Sequence, residues 1–252
     1  MKEILFAIIL LNHITLIMRH NALFLIYLSI TGITTNARLD QYKHFIKNNN
    51  QVIYVTTPSA ASLKGNLRMY ERKNKKGSWR LVDSFAITVG KNGIARDTSG
   101  RLQITEDLLI KKEGDGKSPA GIFRLGPVFS YNKLRKLKMP FQQVDTTDIC
   151  VDDINSAYYN RLTNLDTVKN KDWNSFEYMK RMDDQYEYGI WVKYNNETYT
   201  PGWGSCIFLH IWKNENTPTV GCTAMTKESM LEVINWLNNK KNSVLLQVVS
   251  EK

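Results

Sequence analysis

Residues 205–223 of the 252-residue chain read SCIFLHIWKNENTPTVGCT. The apolar first part of this stretch predicts a β-strand over residues 205–210 that ends on His210. Cys222 lies 12 positions later, directly after Gly221, and a helix is predicted to begin just after it. The stretch therefore combines an imidazole, a thiol and a helix N-terminus.

These three elements together predict a nucleophilic site. A thiol becomes a useful nucleophile when an imidazole takes its proton and a helix N-terminus stabilises the thiolate. His210 is the plausible base for Cys222, because the other histidine after residue 37, His44, lies in a polar segment before the domain. The amides of Gly221 and Thr223 are candidate donors to a developing oxyanion. On spacing alone, the alternative is that Cys222 is a buried packing residue.

Around this stretch, short runs of β-branched and aromatic residues bounded by turn residues predict a mainly β (α+β) domain. The predicted strands are residues 51–57, 66–72, 79–89, 121–125, 189–194, 205–210 and 244–249. The second and third of these form a hairpin. One amphipathic helix is predicted, with Thr226 as its N-cap. Its apolar face consists of Met230, Val233, Ile234 and Leu237.

Residues 130–188 differ in texture from the rest of the domain, and we interpret them as a helical or loop-rich insertion. Basic residues are interleaved with leucines over residues 133–138, and aromatic residues recur over residues 158–178. One interpretation is a basic helix face followed by ordinary core aromatics. The other is a lid or a platform for substrate.

The N-terminal segment, residues 1–37, is predicted to be a signal peptide. A start at Met18 gives a basic n-region and an apolar h-region over residues 22–33. A short segment of small residues follows, with the predicted cleavage site after Ala37. An anchored form that begins at Met1 is the alternative. Neither apolar run reaches the roughly 20 residues that a bilayer-spanning helix requires, so no integral membrane span is expected after cleavage.

Composition and charge narrow the class of protein. A chain with 42% hydrophobic and 23% charged residues is neither disordered nor a polytopic membrane protein. The net charge of +10 suits a partner with negative charge, such as nucleic acid, a lipid surface or a cell-wall polymer. Because no nucleic-acid-binding motif accompanies this charge, the hypothesis of a secreted nucleic-acid-binding protein is supported by charge alone.

The three cysteines leave two interpretations open. Cys150 and Cys206 either pair in an oxidising compartment and leave Cys222 free, or all three are thiols. Residues 150–153 lack a second ligand cluster with zinc-like spacing. We therefore predict neither a metal nor a cofactor.

Two motifs together resemble the YkuD-type L,D-transpeptidase family. In that family a histidine ends a strand and a Ser/Thr-x-Gly-Cys element follows after a loop, as His210 and residues 219–222 (TVGC) do here. Residues 117–123 (KSPAGIF) resemble the family's S/T-P-x-G-x-F element. The resemblance covers roughly residues 51–249.

The resemblance implies a YkuD-like β-sandwich or barrel core, with residues 51–252 as the catalytic domain and residues 38–50 as an N-terminal extension. It also implies a bacterial cell-wall enzyme that acts on peptidoglycan stem peptides. Cys222 would attack the L,D peptide bond after the third residue of a tetrapeptide stem and release D-alanine, with His210 as general base and acid. The acyl group would then pass to an amine such as that of diaminopimelate, or to a wall-attached protein.

Further site residues are weaker candidates. Ser205, Thr219, Lys117 and Arg124 are the candidate substrate contacts. Ser205 or a backbone carbonyl near Trp203 is the candidate partner that orients His210. The chain departs from the family's usual pattern at Val220, where the family often has His, and at Ala224, where it often has Arg or Asn.

The predicted location is periplasmic or otherwise extracytoplasmic, in association with the cell wall, because enzyme and substrate must meet outside the cytoplasm. Two alternatives to transpeptidation stay open. One is an L,D-carboxypeptidase, in which water is the acceptor. The other is a non-catalytic cell-wall-binding module that keeps the fold. Nucleic acid is not an expected partner.

Overall fold

The computed structural model describes residues 39–97 and 108–250, and the predicted signal peptide, residues 1–37, lies outside them. The strands are β1 (Gln51–Thr57), β2 (Lys64–Glu71), β3 (Arg80–Thr88), β4 (Ile94–Arg96), β5 (Ser118–Ser130), β6 (Phe141–Gln143), β7 (Asp148–Val151), β8 (Arg161–Asn164), β9 (Phe176–Tyr178), β10 (Tyr188–Val192), β11 (Phe208–Ile211), β12 (Thr223–Met225) and β13 (Val244–Val249). A helix, α1, spans Lys227–Trp236, and a 3-10 helix spans Asn239–Lys241.

Eight of the strands close into a mixed barrel. Their order is β10-β11-β12-β3-β2-β1-β13-β5, and β5 pairs with β10 to complete the circle. The pairs β1–β13 and β11–β12 are parallel. Closure satisfies the backbone hydrogen bonds of strands that would otherwise lie at a sheet edge. The prediction of a mainly β fold with a barrel-like core is confirmed.

Strand β1 shows why the core has two parts. All seven of its residues are buried, although successive side chains of a strand point to opposite faces. Ile53 and Val55 belong to the main core cluster. Tyr54 points to the other face and packs with Leu39 and Ile46 of the N-terminal extension. The extension therefore covers a face of the barrel that would otherwise be exposed and apolar.

The predicted hairpin is confirmed as β2–β3, and β1 and β13 have the predicted bounds. The helix is also confirmed, because the Thr226 hydroxyl accepts a hydrogen bond from the Ser229 amide at 3.0 Å. The four predicted apolar positions are buried at Met230, Val233, Ile234 and Leu237. The helix begins at Lys227 rather than directly after Cys222, because the buried strand β12 comes between them.

Strand β11 begins at Phe208, so the predicted start of this strand at residue 205 is wrong. Cys206 adopts a left-handed backbone conformation, with φ of 54°, which an extended strand does not allow. Its amide donates to Asn160 Oδ1 at 3.0 Å instead of to a neighbouring strand. The chain therefore turns at Cys206 before it enters the barrel.

The sequence analysis predicted a helical or loop-rich insertion over residues 130–188, and the structure shows the loop-rich form. Its regular part is a small antiparallel sheet in the order β8-β7-β9. Aromatic rings join it to the barrel: Tyr186 packs edge-on against Phe208 of β11 at 5.4 Å between ring centroids and against Phe129 of β5 at 6.1 Å. This aromatic cluster also contains Cys222.

A substitution at Gly189 in β10 tests the packing where the barrel closes, because Gly189 pairs with Phe129 of β5. A Cβ atom at position 189 would overlap the Phe129 ring. We expect Gly189→Ala to lower the free energy of unfolding by about 1–3 kcal/mol, measured by urea denaturation. Gly77→Ala is the control, since its Cβ would meet no atom closer than 3.4 Å. Equal stability of the two variants would contradict this packing.

Candidate active site

Cys222 and His210 line one cavity of about 260 Å³. The parallel ladder between β11 and β12 pairs Leu209 with Thr223 and His210 with Ala224. Because side chains alternate along a strand, Cys222 and His210 lie diagonally on the same face of this ladder. The topology thus brings the two predicted groups to one site.

The thiol of Cys222 is held by backbone groups. The Phe208 amide donates a hydrogen bond to Sγ at 3.3 Å. The thiol in turn donates to the Cys206 carbonyl at 3.5 Å. The sequence analysis expected a helix N-terminus beside the thiol. Because β12 separates Cys222 from α1, the thiol accepts its hydrogen bond from the Phe208 amide instead.

Two hydroxyl groups fix the carbonyl of Cys222. Thr219 Oγ1 donates to it at 2.6 Å, and Ser118 Oγ donates at 2.7 Å. The Gly90 amide donates to Ser118 Oγ at 2.9 Å and so orients that hydroxyl. The serine of the KSPAGIF element therefore holds the backbone of Cys222, which gives this sequence motif a structural role.

The backbone amides near Sγ differ in availability. The Gly221 amide donates to Thr219 Oγ1 at 3.1 Å. Thr223 lies in β12, where it pairs with Leu209. Among residues 39–97 and 108–250, no acceptor is paired with the amide of Cys222 itself. Of the three amides, that of Cys222 is therefore the one available to an oxyanion.

His210 is oriented by the backbone. Its Nδ1 lies 2.8 Å from the carbonyl oxygen of Ile211, which can only accept a hydrogen bond. Nδ1 therefore carries the proton, and Nε2 is the nitrogen that can accept one. The sequence analysis expected Ser205 or a carbonyl near Trp203 in this role. The Ser205 hydroxyl instead donates to Glu113 at 2.7 Å.

Burial keeps both groups neutral. It lowers the pKa of His210 to about 4 and raises the pKa of Cys222 to about 12. The negative charge of Glu177 raises the pKa of Cys222 further. At neutral pH the site therefore holds a thiol beside a neutral imidazole, rather than a thiolate beside an imidazolium ion.

The charged side chains that line the cavity are Lys111, Glu113, Asp152, Glu177 and Arg181. Both cations have carboxylate partners. Lys111 Nζ lies 2.7 Å from Asp115, and Arg181 lies 2.6 Å from Asp183. The cavity thus has three carboxylates of its own in a protein whose net charge is positive.

The four predicted substrate contacts separate into two groups. Ser205 and Thr219 line the cavity. The Lys117 ammonium donates to the Asn92 carbonyl, and Arg124 is exposed and lines two other cavities. The structure therefore brings the first two to the thiol and places the other two elsewhere.

Comparison with protein families gives a match to YkuD, the L,D-transpeptidase catalytic domain, over residues 50–248. The chain belongs to the YkuD family. Membership implies activity of the peptidoglycan cross-linking type, in a family whose members are typically cysteine L,D-transpeptidases. Comparison with curated proteins found no match.

The YkuD domain contains a disulfide between Cys150 of β7 and Cys206, and Cys222 is a free thiol. This decides between the two interpretations of the cysteines. The bond ties the small sheet of the insertion to the turn that precedes β11. A disulfide of this kind is typical of extracytoplasmic proteins, in agreement with the family. No helix among the described residues is long and apolar enough to span a bilayer.

Sequence reasoning missed the part of the YkuD cavity that the insertion contributes. Asp152, Glu177, Arg181, Gln185 and Tyr186 all line it. No motif marks these residues. The available signal was the aromatic and polar composition of residues 130–188. This composition was compatible with a platform for substrate, but it did not identify any individual side chain.

The protonated state of Cys222 predicts slow alkylation. The thiolate is the reactive form, so a pKa raised to about 12 makes reaction with iodoacetamide at pH 8 on the order of a hundredfold or more slower than that of free cysteine. The rate should still rise through pH 10, and Cys222→Ser identifies the reacting site by its loss. A plateau below pH 7 would indicate a thiolate–imidazolium pair and contradict this assignment.

The disulfide predicts a redox-dependent stability. Cys150 and Cys206 are 56 positions apart, and closing such a loop restricts the unfolded chain. We expect the double variant Cys150→Ala/Cys206→Ala to unfold about 2–4 kcal/mol more readily in urea. Reductant should lower the stability of the wild type and leave that of the double variant unchanged. An equal response of both proteins would argue against the bond.

Proposed function

We propose that this protein is a peptidoglycan L,D-transpeptidase that forms an acyl-enzyme on Cys222. In this proposal it cleaves the bond to the terminal D-alanine of a tetrapeptide stem and transfers the stem to an amine. The observation that carries the proposal is the position of the Cys222 thiol and the His210 imidazole in one cavity, with Nδ1 of the imidazole bonded to the Ile211 carbonyl.

Acylation uses groups that are already in place. As Sγ of Cys222 attacks the scissile carbonyl carbon, Nε2 of His210 takes the thiol proton. The amide of Cys222 donates to the oxyanion that forms. The imidazolium then gives its proton to the amine of D-alanine, the C–N bond breaks, and a thioester remains.

Because Cys222 and His210 are both neutral before the reaction, proton transfer from the thiol occurs together with the attack of Sγ on the carbonyl carbon. Because burial disfavours both charged forms, a thiolate is not formed in advance. Negative charge develops on sulfur only while the C–S bond forms, and it passes to the oxyanion. The Phe208 amide, which donates to Sγ, stabilises the sulfur during this step.

Deacylation repeats these steps with the acceptor as nucleophile. An amine gives a cross-link, for example between two diaminopimelate residues, whereas water gives L,D-carboxypeptidase activity. A non-catalytic wall-binding module would have no use for a thiol whose peptide is fixed by Thr219 and Ser118. The positive net charge suits an enzyme that works on an anionic wall.

Residues 38–252 incubated with tetrapeptide muropeptides provide the test, with products and protein analysed by mass spectrometry. We expect release of D-alanine, an acyl adduct on Cys222 and a cross-linked dimer. Cys222→Ala should abolish all three, and His210→Ala should slow D-alanine release by about 10²–10⁴-fold. His44→Ala is the matched control, because His44 lines a different cavity.

The products separate the candidate reactions. Dimer indicates transpeptidation, and tripeptide without dimer indicates carboxypeptidase activity. Turnover by Cys222→Ala would disprove the mechanism. Retention of peptidoglycan without any turnover by the wild type would indicate a binding module.

A further inference from the structure

Glu177 is one of the ionisable groups in the cavity that the acylation step does not use. It lies in β9 of the insertion and lines the cavity with Cys222 and His210. Its Oε2 accepts a hydrogen bond from the Tyr186 hydroxyl at 2.6 Å. Within the part of the chain that the structure describes, its other carboxylate oxygen has no hydrogen-bond partner and is not fully buried, so a ligand can contact it.

Tyr186 holds this carboxylate in a fixed position. The ring is buried and packs edge-on against His210 at 5.0 Å between centroids and against Phe208 at 5.4 Å. A side chain enclosed in this way has one rotamer available. Glu177 is therefore positioned relative to the same histidine that serves the nucleophile.

The charge of Glu177 works against the nucleophile. A carboxylate near Cys222 disfavours negative charge on sulfur and raises the pKa of the thiol. The cations of the cavity do not neutralise it by contact, since Arg181 pairs with Asp183 and Lys111 pairs with Asp115. Burial raises the pKa of Glu177 and so disfavours its charge, and Arg181 offsets this only through space. A positively charged ligand in contact with Glu177 would therefore stabilise the carboxylate.

We propose that Glu177 binds the ammonium group of the amine acceptor and so selects an amine over water in deacylation. This proposal rests on the proposed function, because it requires the Cys222 thioester. The ligand class is a primary amine that is positively charged at neutral pH. With the ammonium bound, the negative charge of Glu177 is balanced at the stage when the acceptor attacks.

In the transfer step, the acceptor nitrogen loses two protons, one to Glu177 and one to His210. The Glu177 carboxylate takes one proton from the bound ammonium, which leaves a neutral amine. The amine nitrogen attacks the thioester carbonyl, the C–N bond forms, and the C–S bond breaks. His210 takes the second proton from the nitrogen and gives it to the sulfur of Cys222. The products are an amide, a free thiol and a protonated Glu177 that loses its proton to solvent.

The test compares acceptors on a preformed acyl-enzyme. The donor is a tetrapeptide stem, and the acceptors are the diaminopimelate stem amine, hydroxylamine, which is uncharged at neutral pH, and water. We expect Glu177→Gln to acylate at least as fast as the wild type, because removing the charge lowers the pKa of the Cys222 thiol. It should transfer the stem to the charged amine about tenfold to a hundredfold more slowly, with transfer to hydroxylamine and hydrolysis unchanged.

Two further variants sharpen the result. Glu187→Gln removes an equal charge from a residue that pairs with Lys227 outside the cavity, and it should behave as wild type. Glu177→Asp keeps the negative charge and should retain most of the preference for amine. It also keeps the test valid if Glu177→Gln folds poorly, which thermal denaturation detects.

The outcomes distinguish the two proposals. If Glu177→Gln keeps the wild-type ratio of amine transfer to hydrolysis, the acceptor site is wrong while the transpeptidase assignment stands. Equal losses with charged amine, hydroxylamine and water would likewise overturn the acceptor site, because they indicate a structural role. Failure of the wild type to form an acyl-enzyme would overturn both proposals.

Discussion

Parallel pairing between β11 and β12 is the contact on which the site depends. Two adjacent parallel strands need a connection that returns the chain to the same end of the sheet, and residues 212–222 make it. The end of this connection, at Thr219 and Gly221, lines the cavity. The segment that makes the parallel ladder feasible is thus also the segment that presents Cys222 opposite the insertion.

Burial is the second constraint, and it acts on chemistry as well as stability. The same aromatic cluster that joins the insertion to the barrel removes water from Cys222 and His210. Removing water leaves both groups uncharged, so the resting site holds no thiolate–imidazolium pair. The insertion therefore sets the electrostatic state of a pair that the barrel positions.

The predictable parts of the fold are those encoded by local pattern. β1 and β13 are continuous runs of β-branched and apolar residues, and the cap at Thr226 precedes a clear helical period. His210 and Cys222 were predictable because a strand end and a Gly-Cys element are also local. The family resemblance gave these two residues their roles.

The remaining parts depend on contacts between residues distant in sequence. β12 has three residues, too few for a pattern, and forms because it pairs with β11 and β3. The left-handed conformation of Cys206 accompanies its bond to Cys150, and three cysteines do not specify a pair. Glu177 lines the cavity of Cys222 only because the insertion folds back onto the barrel, and no local periodicity encodes that placement.

The protonated state of Cys222 has a consequence for how long the thiol stays reduced in a compartment that allows disulfides. Oxidants and disulfides both react with thiolates, and the backbone carbonyl of Cys206, which is one half of a disulfide, lies 3.5 Å from this sulfur. A thiol with an ordinary pKa would carry a larger thiolate fraction and would undergo both reactions faster. By holding the proton until substrate arrives, the buried site lets a single reduced cysteine persist in surroundings that oxidise its neighbours.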